Sequence, residues 1–288
     1  MDNKIGAIIV LYRPNLKLIY KVAESLAKQV NELCIVDNTP GADNSIIFTN
    51  LPSVTYISLG DNRGLAAAQN IGINHLSAKN MDFIVFSDQD SLPPKDMVSN
   101  LLKAYLTIEA SGIKVAAVGP MPIQRSTEKP TFDRLSVRFK RRLDNIDVMC
   151  MNNIISSGSL MRVSTIQLVG PMLEFLFIDG IDSEWCWRAR YKYGLQSFII
   201  PEIKLSHMSG EDTEGRHRIL IPTPFRVYYQ YRNYIILLSY PQTPTWWKFK
   251  NGIKYIIKSV YFPLFLKPRT EFIKKIVTGI RDGLKYIS

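Results

Sequence analysis

The sequence predicts an α/β protein with a mostly parallel central sheet flanked by helices. In the first third of the chain, four short apolar runs alternate with segments whose apolar residues recur at helical spacing. Short loops join these segments, as in sheets built from strand–helix–strand units. Each run also ends in polar residues, and ligands of such sheets bind beyond the carboxyl ends of the strands. The functional site is therefore expected at those strand ends.

The predicted elements follow from these patterns in chain order. Strands are expected at 4–11, 33–36, 54–59 and 83–86, and helices at 16–30, 46–51, 65–76 and from the Pro93-Pro94 pair to about 110. A strand at 115–118, a polar flap over 120–145, a strand interrupted by a close-approach turn at 154–161 and a short helix at 164–169 follow. The last third is predicted to contain a helix from about 182 to 193, strands at 196–200 and 204–207, and helices at 223–239, 244–263 and 269–286.

Composition places the chain among globular proteins. It has 288 residues, of which 46% are hydrophobic, enough for one large domain or for a domain with an appendage. Its three cysteines are scattered and give neither a disulfide framework nor metal-ligand spacing, which favours a reducing cytosol. No apolar stretch reaches the length of a transmembrane helix, and Asp2 disfavours a signal peptide.

The positive charge is concentrated in the C-terminal part. Residues 216–288 contain 14 Lys+Arg and two acidic residues, whereas the rest of the chain is close to neutral. We therefore predict one domain at 1–215 and a basic, aromatic helical appendage at 216–288. Aromatic residues next to lysines, as in Trp246-Trp247-Lys248, are typical of helices on anionic membrane surfaces, although a packed appendage with a solvated basic face would look similar. Nucleic acid is a poorer partner, because the basic residues share helix faces with large aliphatic residues.

Two carboxylates follow the fourth predicted strand, in the segment Ser87-Asp88-Gln89-Asp90-Ser91. In extended backbone, residues i and i+2 face the same side, so Asp88 and Asp90 can share one space. Two like charges this close need a positive group beside them, and Mg²⁺ on a phosphorylated ligand takes one or two carboxylates. The same residues also suit an ordinary polar turn.

Polar residues at the other strand ends are further candidates for ligand binding. Asp37, just past the second strand, could accept hydrogen bonds from a base or ribose, or could be a cap or turn residue. Asn62, Arg63 and Gln69 lie near the start of a predicted helix, where phosphate binding is favoured. Neither Gly-x-Gly-x-x-Gly nor a Walker motif follows the first strand, which disfavours dinucleotide-dependent and P-loop enzymes.

A second acidic cluster, Asp179-Gly180-Ile181-Asp182-Ser183-Glu184, follows another apolar run. Asp182 can serve as the N-cap of the next helix, whose dipole would keep it ionised, as a general base requires. His207 ends a later strand. A lone histidine is more often structural, but beside a carboxylate site it becomes a candidate metal ligand.

In sequence and order, these segments resemble the motifs of inverting glycosyltransferases of family 2, which have the Rossmann-like GT-A fold. Within that family they are most similar to bacterial rhamnosyltransferases of O-antigen and polysaccharide assembly. The resemblance covers residues 4 to about 210. It rests on the motifs Ile8-Ile9-Val10-Leu11-Tyr12, Val36-Asp37-Asn38, Asp61-Asn62-Arg63-Gly64-Leu65-Ala66, Ser87-Asp88-Gln89-Asp90-Ser91, Ser157-Gly158-Ser159 and Phe177-Ile178-Asp179-Gly180-Ile181-Asp182-Ser183-Glu184-Trp185-Cys186-Trp187-Arg188-Ala189.

The resemblance implies roles for individual residues. Asp37 would read the pyrimidine base of the donor, and Asp88 would lie towards its ribose. Asp90 and His207 would hold a divalent cation, Mg²⁺ or Mn²⁺. Asp182 takes the position of the catalytic base, but Ile181 stands where the family has a paired Glu. The other implied donor contacts are Tyr12, Asn62, Arg63, Gln69 and Gln89, and the implied acceptor contacts are Ser157, Gly158, Asp179, Glu184 and Trp185.

The resemblance also implies an activity, namely metal-dependent transfer of L-rhamnose from dTDP-β-L-rhamnose to a polyprenyl-diphosphate-linked saccharide. The enzyme would work in the cytoplasm, on the inner face of the bacterial cytoplasmic membrane, and homo-oligomerisation stays open. One alternative is a family 2 transferase that uses another nucleotide sugar, such as a UDP-hexose. A nucleotidyltransferase is disfavoured, because Tyr12-Arg13-Pro14-Asn15 contains no glycine. A non-catalytic basic module that binds membrane or nucleic acid is the third alternative.

Overall fold

The computed structural model describes residues 3–124, 127–207 and 222–287. Within these residues, ten strands form one mixed sheet in the order β3-β2-β1-β4-β9-β6-β10-β8-β7, with β5 paired to β10. The strands are β1 (Ile5–Leu11), β2 (Glu32–Asp37), β3 (Val54–Ser58), β4 (Phe83–Asp88), β5 (Ser91–Leu92), β6 (Val115–Gln124), β7 (Val137–Leu143), β8 (Ile146–Met151), β9 (Leu160–Arg162) and β10 (Gln196–His207). The helices are α1 (Leu16–Ala27), α2 (Leu65–Ala78), α3 (Met97–Ala110), α4 (Val163–Val169), α5 (Ile181–Tyr193), α6 (Pro224–Ser239), α7 (Thr245–Phe265) and α8 (Arg269–Ile287), with 3-10 turns at Ser45–Phe48, Arg134–Ser136 and Glu174–Leu176.

The predicted parallel arrangement is confirmed for the N-terminal half of the sheet. There β1 lies between β2 and β4, and β3 extends the sheet beyond β2, all parallel. Alternate residues of β1 face opposite sides: Ile9 and Leu11 pack in the core with α1 and α3, whereas Ile8 packs in the core with α2 and α5. Helices cover both faces, which explains why β1, β2 and β4 contain continuous apolar runs, whereas β3, at the edge of the sheet, is only half-buried.

The C-terminal half of the sheet is less parallel than predicted. β9 is antiparallel to both β4 and β6, and β8 is antiparallel to β10 and to β7. The predicted flap over 120–145 is wrong, because β6 continues to Gln124 and β7 forms a hairpin with β8. A short connection at Asp144-Asn145, with Asp144 in the left-handed region (φ 48°), makes this hairpin, and so short a loop can join only antiparallel strands.

Most other predicted elements are confirmed with shifted ends, including the three C-terminal helices. The predicted strands 196–200 and 204–207 are one strand, β10, whose pairing with β6 shifts register between Ile200 and Lys204. Pro201 lies in this irregularity and lacks the N–H that a regular ladder needs. The strand expected at 154–161 is shorter and begins only at Leu160, where β9 starts.

The C-terminal helices form a small core of their own, made by Val227, Tyr231, Phe262, Leu266, Phe272 and Ile276. α8 approaches α6 closely at two glycines. A Cβ on Gly279 would lie 2.6 Å from the carbonyl oxygen of Tyr228, and one on Gly283 would lie 2.8 Å from that of Arg232. The predicted domain boundary at residue 215 lies outside the described residues. Among the helices that are described, none is long and apolar enough to cross a membrane.

Candidate active site

The ends of β1, β2 and β4 place polar residues along one edge of the sheet. In the strand register, Asp88 is opposite Val10, and Asp37 is opposite Leu11. Neighbouring strands are about 4.8 Å apart, and Tyr12 directly follows β1. Three predicted donor contacts, Tyr12, Asp37 and Asp88, are therefore neighbours at the edge where a ligand is expected.

Gln89 fixes the first of these strand ends. Its side-chain amide accepts a hydrogen bond from the backbone N–H of Tyr12 (2.8 Å) and donates one to the carbonyl oxygen of Tyr12 (3.1 Å). Both functions of the amide are thus used within the protein. Gln89 therefore positions the loop after β1, and its contact with the donor stays a prediction.

Asp37 is fully buried at the end of β2. Its carboxylate accepts hydrogen bonds from the N–H of Thr39 (2.9 Å), the amide of Asn44 (2.7 Å) and the hydroxyl of Tyr56 (2.7 Å). Together with burial, this last bond raises the pKa of the Tyr56 hydroxyl. Asp37 therefore orders the loop after β2, and its reading of a base stays a prediction that requires Tyr56 or Asn44 to move.

Hydrogen bonds connect the loop after β2 to the loop between β3 and α2. Asn38 donates to Oδ1 of Asn62 (3.0 Å) and accepts from the N–H of Arg63 (2.7 Å). The side chain of Arg63 is exposed, as expected of a phosphate contact, whereas Gln69 is buried and its Oε1 has no hydrogen-bond partner. Asn62 and Arg63 thus stand at the predicted edge, and Gln69 lies behind it.

The second acidic cluster meets the first. Oδ2 of Asp182 accepts a hydrogen bond from the N–H of Ser156 (3.1 Å), while Oδ1 is shielded from solvent and has no hydrogen-bond partner among the described residues. Burial raises the pKa of Asp182 to about 6; the Ser156 bond opposes this shift, and the negative charge of Asp88 adds to it. The two acids, far apart in sequence, therefore act on one another across a single site.

The backbone before α5 has a conformation that side chains rarely adopt. Phe177 and Asp179 have positive φ angles (62° and 64°), and Gly180, not Asp182, is the N-cap of α5. The predicted N-cap is therefore wrong: Asp182 is already the second residue of the helix. Gly64 allows this loop to come close, because a Cβ there would lie 2.6 Å from the ring of Phe177. The loop and the residues before α2 thus form one wall of the site.

α6 holds this loop from the other side. Arg226 donates two hydrogen bonds from Nε and one from Nη2 to the carboxylate of Asp179 (2.7–3.2 Å). The buried amide of Asn233 donates to the carbonyl oxygens of Leu176, Ile178 and Asp179 (2.7–2.9 Å). The ring of Phe177 stacks on Tyr229 with centroids 4.6 Å apart. The strained loop is thus fixed by contacts from the C-terminal helices.

The sequence of this sheet and its site matches a known family. Residues 7–168 match glycosyl transferase family 2. The chain belongs to that family. It is also 30% identical to the dTDP-rhamnosyl transferase RfbF of Shigella flexneri, over 295 residues that cover 100% of this chain and 98% of that protein.

Solved structures share the family 2 architecture. TarS 1-349 of S. aureus in complex with UDP-GlcNAc superposes with a TM-score of 0.60 at 15% identity, over 99% of this chain and 82% of that chain. The longer TarS structure is matched over only 49% of its length. GalNAc-T7 with UDP, GalNAc and Mn²⁺ has a TM-score of 0.57 at 12% identity, over 90% of this chain and 58% of that chain. At these identities the likeness confirms the predicted GT-A fold.

Asp90 and His207 are the candidate ligands for the divalent cation that family 2 membership implies. Asp90 lies directly before β5, and the backbone of Ser91 in β5 pairs with that of His207 at the end of β10. Carboxylate and imidazole groups together are suitable ligands for Mn²⁺. The side chain of His207 lies outside the described part of the chain, and the side chains that are described contain no group of three His, Cys, Asp or Glu that could hold a metal.

The predicted acceptor contacts of this family 2 chain divide into two groups. Ser157 and Gly158 lie between the two acidic clusters, because the N–H of Gly158 donates to the carbonyl oxygen of Phe86 (2.7 Å). Asp179 reaches the site but is bound by Arg226.

The predicted acceptor contacts at Glu184 and Trp185 are corrected by the structure, because both side chains lie on the core side of α5 and are fully buried. The carboxylate of Glu184 forms an ion pair with Arg188 (2.9 Å), and the indole N–H of Trp185 donates to the carbonyl oxygen of Gly170 (3.0 Å). Neither side chain is available to an acceptor, and both stabilise the packing of α5.

Sequence reasoning missed the α6 residues that support the loop before α5 (residues 176–180, called the acid loop from here on). They are Arg226, Tyr229 and Asn233. A signal for Asn233 exists, since it lies one turn before Ile236 and Leu237 in a predicted helix and a buried amide needs hydrogen-bond partners. Arg226 gave no such signal, because cations are frequent throughout the C-terminal part.

Proposed function

We propose that this chain transfers L-rhamnose from dTDP-β-L-rhamnose to a hydroxyl group of a lipid-linked saccharide, with inversion of the anomeric centre. The donor proposal rests on the full-length, 30% identity to a dTDP-rhamnosyl transferase. The reaction class rests on family 2 membership. The inverting step rests on a single observation in the structure: Ser156 donates to the half-buried Asp182, and Gly158 in the same loop donates to Phe86, two residues before Asp88, so the two acids share one site.

Asp182 acts as the general base. Its carboxylate takes the proton of the acceptor hydroxyl while the hydroxyl oxygen forms a bond to the anomeric carbon of the donor. The bond between the anomeric carbon and the diphosphate oxygen breaks on the opposite face, and dTDP leaves with the electron pair. With a pKa of about 6, Asp182 is ionised at neutral pH yet more basic than an ordinary carboxylate, which suits proton abstraction.

The edge formed by β1, β2 and β4 binds the donor. Asp88 lies towards the ribose, and the exposed side chain of Arg63 faces solvent at the edge where the diphosphate would lie. Asp90 and His207 would hold the divalent cation, which when bound supplies Lewis-acid neutralisation of the charge on the leaving diphosphate. The loop that contains Ser157 and Gly158 lies beside Asp182 and would receive the acceptor; both residues are buried, so contact with either requires the loop to open.

A donor screen tests this function. The purified full-length chain is incubated with Mn²⁺ and, in turn, dTDP-rhamnose, UDP-glucose, UDP-galactose and GDP-mannose, and release of the nucleoside diphosphate is measured. We expect preference for dTDP-rhamnose, loss of release in Asp182→Asn, and unchanged release in the surface control Asp43→Asn. Equal release by Asp182→Asn and the wild type would remove Asp182 from the role of base.

The second candidate function is transfer from a UDP-hexose. It is favoured by one observation, the similarity of the fold to a TarS structure that contains UDP-GlcNAc. Preference for a UDP-sugar in the same screen would replace the rhamnosyl proposal and leave the family assignment intact.

We also propose that α7 places the enzyme on the cytoplasmic face of the bacterial membrane, where lipid-linked intermediates of O-antigen or another surface polysaccharide are extended. α7 exposes a row of large apolar side chains, with Phe249 71% and Ile256 69% exposed, and Lys250 and Lys254 lie among them. The other members of this row are Ile253, Ile257, Val260 and Leu264. Apolar anchors beside cations fit an anionic lipid surface.

Sedimentation with vesicles tests the membrane proposal. We expect the chain to sediment with phosphatidylglycerol vesicles and much less with phosphatidylcholine vesicles. The double substitution Ile253→Asp and Ile257→Asp should abolish sedimentation, whereas the control Ile46→Asp, at an exposed site in the catalytic part, should not. If the wild type instead forms dimers and ignores vesicles, the apolar row is a subunit interface and the membrane proposal is wrong.

A further inference from the structure

A second cavity lies beside α5, away from the donor edge. It has a volume of about 630 Å³ and lies between β7 and β8, α5 and the connection from α6 to α7. We call it the α5 cleft. Its volume falls within the range of about 300–1,000 Å³ that is usual for small-molecule sites. None of the roles proposed above uses its residues.

Two buried side chains of the α5 cleft lack hydrogen-bond partners among the described residues. Trp187 is 2% exposed and Thr243 is 3% exposed, and neither the indole N–H of Trp187 nor the hydroxyl of Thr243 is bonded to a described protein group. The indole N–H of Trp246, another lining residue, is also unpartnered. Buried polar groups are normally satisfied, so three exceptions around one cavity point to a ligand with hydrogen-bonding groups.

The α5 cleft is also positively charged. Arg138 and Arg190 both line it, and no Asp or Glu is among its described lining residues. Arg190 is held by Asn152, and neither arginine has a carboxylate partner within the described residues. Burial, and next the charge of Arg138, lowers the pKa of Arg190. Two guanidinium groups without an acid suit a carboxylate or phosphate group on the ligand.

The position of the α5 cleft relates it to the acceptor. Ser183, Trp187 and Arg190 are spaced i, i+4 and i+7, so they lie on one face of α5 that begins one residue after the proposed base. At a rise of about 1.5 Å per residue, Arg190 lies about 12 Å along the helix from Asp182. The segment that leads from the cleft to Ser156 runs beside this face, since Asn153 donates to the hydroxyl of Ser183 (3.1 Å).

We propose that the α5 cleft binds an acidic saccharide portion of the acceptor, beyond the sugar that carries the attacking hydroxyl. The part-exposed ring of Trp246 provides apolar surface for a sugar ring, the indole N–H groups of Trp187 and Trp246 provide donors, and Arg138 with Arg190 binds a carboxylate or phosphate substituent. This inference rests on the proposed transferase function, because only that function identifies the bound saccharide as part of the acceptor. Binding to the cleft itself requires no turnover and can be measured separately.

Titration calorimetry with the full chain tests the proposal. The probes are a tetrasaccharide that contains uronic acid, a neutral tetrasaccharide of the same length, and inorganic phosphate. We expect the acidic tetrasaccharide to bind more tightly than either of the others. Arg190→Gln should weaken it about tenfold to a hundredfold, the range of a lost hydrogen bond to a charged group. The control Arg141→Gln, on the same strand as Arg138, should leave its affinity unchanged.

Two further variants guard against loss of folding. Arg138→Gln removes an exposed side chain and should also weaken the acidic probe, and Trp246→Phe keeps the ring while removing the N–H. Both should retain the thermal unfolding midpoint of the wild type. Equal affinity for all three probes, or equal affinity of Arg190→Gln and Arg141→Gln for the acidic probe, would overturn the proposal. Binding of phosphate as tightly as the saccharide would also overturn it.

A turnover assay separates this proposal from the proposed function. With a lipid-linked acceptor, Arg190→Gln should raise the KM for the acceptor and leave the KM for dTDP-rhamnose unchanged. If the wild type releases no dTDP but the acidic tetrasaccharide binds and depends on Arg190, the donor proposal fails and the cleft stands. If dTDP release is normal and no acidic probe binds, the cleft proposal fails and the function stands.

Discussion

Replacing the proposed base by its amide should make the protein more stable while it removes activity. Asp182 is ionised at neutral pH in a site where burial and the charge of Asp88 oppose ionisation. Asp182→Asn removes that charge, and the amide oxygen can still accept the hydrogen bond from Ser156. Loss of a general base typically costs a factor of about 10²–10⁴ in rate. Stability and activity should therefore change in opposite directions.

The size of the effect follows from the pKa of Asp182. The pKa rises from 3.8 to about 6 on folding, and each unit corresponds to about 1.36 kcal/mol, so the charge destabilises the folded protein by roughly 3 kcal/mol at pH 7. The new amide N–H group would be buried at the position of the unpartnered Oδ1, which costs about 1–3 kcal/mol. A net gain of about 1 kcal/mol is expected.

The stability that Asp182→Asn gains over the wild type must depend on pH, because Asp182 of the wild type loses its unfavourable charge when it is protonated. Between the unfolded pKa of 3.8 and the folded pKa of about 6, the folded state binds more protons than the unfolded state. This part of the wild-type stability therefore decreases as pH rises through that window and is constant above it. Asp182→Asn should have its advantage above pH 7 and lose it towards pH 4.

Urea unfolding of the metal-free chain at pH 5, 6, 7 and 8 measures the difference in unfolding free energy between Asp182→Asn and the wild type. The control Asp43→Asn changes a fully exposed carboxyl whose pKa is lowered by hydrogen bonds to Ser45, so it should not become more stable as pH rises. A difference for Asp182→Asn that is negative at pH 8, or that does not change with pH, would refute the account of a strained, buried base. The pH dependence of kcat/KM in the wild type should show activity rising through about pH 6 for the same reason.

Three further outcomes are expected. Asn233→Ala leaves carbonyl groups of the acid loop without a donor. It should lower kcat, and it should lower the unfolding free energy by about 1–3 kcal/mol. Both are measured beside the control Asn251→Ala, which loses a single helix contact. Gly279→Ala forces α8 from the backbone of α6 and should lower the melting temperature, whereas Gly252→Ala meets a side-chain atom, the hydroxyl of Tyr234, rather than backbone and should have a smaller effect. EDTA should abolish nucleotide release and Mn²⁺ should restore it, whereas release that is insensitive to EDTA would contradict the proposed cation.

The parallel half of the fold was predictable because three of its four strands, β1, β2 and β4, are buried on both faces. Such strands are short, apolar and bounded by polar turns, and that pattern is visible without knowing any partner. The position of Asp88 beside Tyr12 and Asp37 then followed from strand order alone. What the pattern could not give was whether these residues are open or already bonded, as Asp37 and Gln89 are.

The hairpin of β7 and β8 was missed although its signals are present. Val137 and Phe139 alternate with basic residues, and Asp144-Asn145 is a suitable two-residue turn. The many charged residues led to the prediction of a flap. In the structure these charges lie on an edge strand, where lysine and arginine side chains are common because they discourage pairing with other chains.

The support of the acid loop by α6 could not be predicted, because it depends on contacts between distant residues. Arg226 and Asp179 are 47 positions apart, and periodicity identifies a buried helix face without identifying what covers it. The same limit explains the errors at Glu184 and Trp185. Their motif resembled a site, but the helical rotation that points Asp182 into the active site turns Glu184 and Trp185 into the core.

The contacts of α6 give the C-terminal helices a structural role in the active site. Residues with positive φ such as Phe177 and Asp179 persist only where surrounding contacts determine them, and those contacts come from Arg226, Tyr229 and Asn233. The helices therefore cannot be an independent anchor attached to a finished enzyme. Because α6 and α7 share one small core, a membrane that binds the exposed face of α7 would also fix the direction of the catalytic cleft. A lipid-linked acceptor would then meet Asp182 in a constant orientation, which is the geometric condition for attack at one hydroxyl rather than at several.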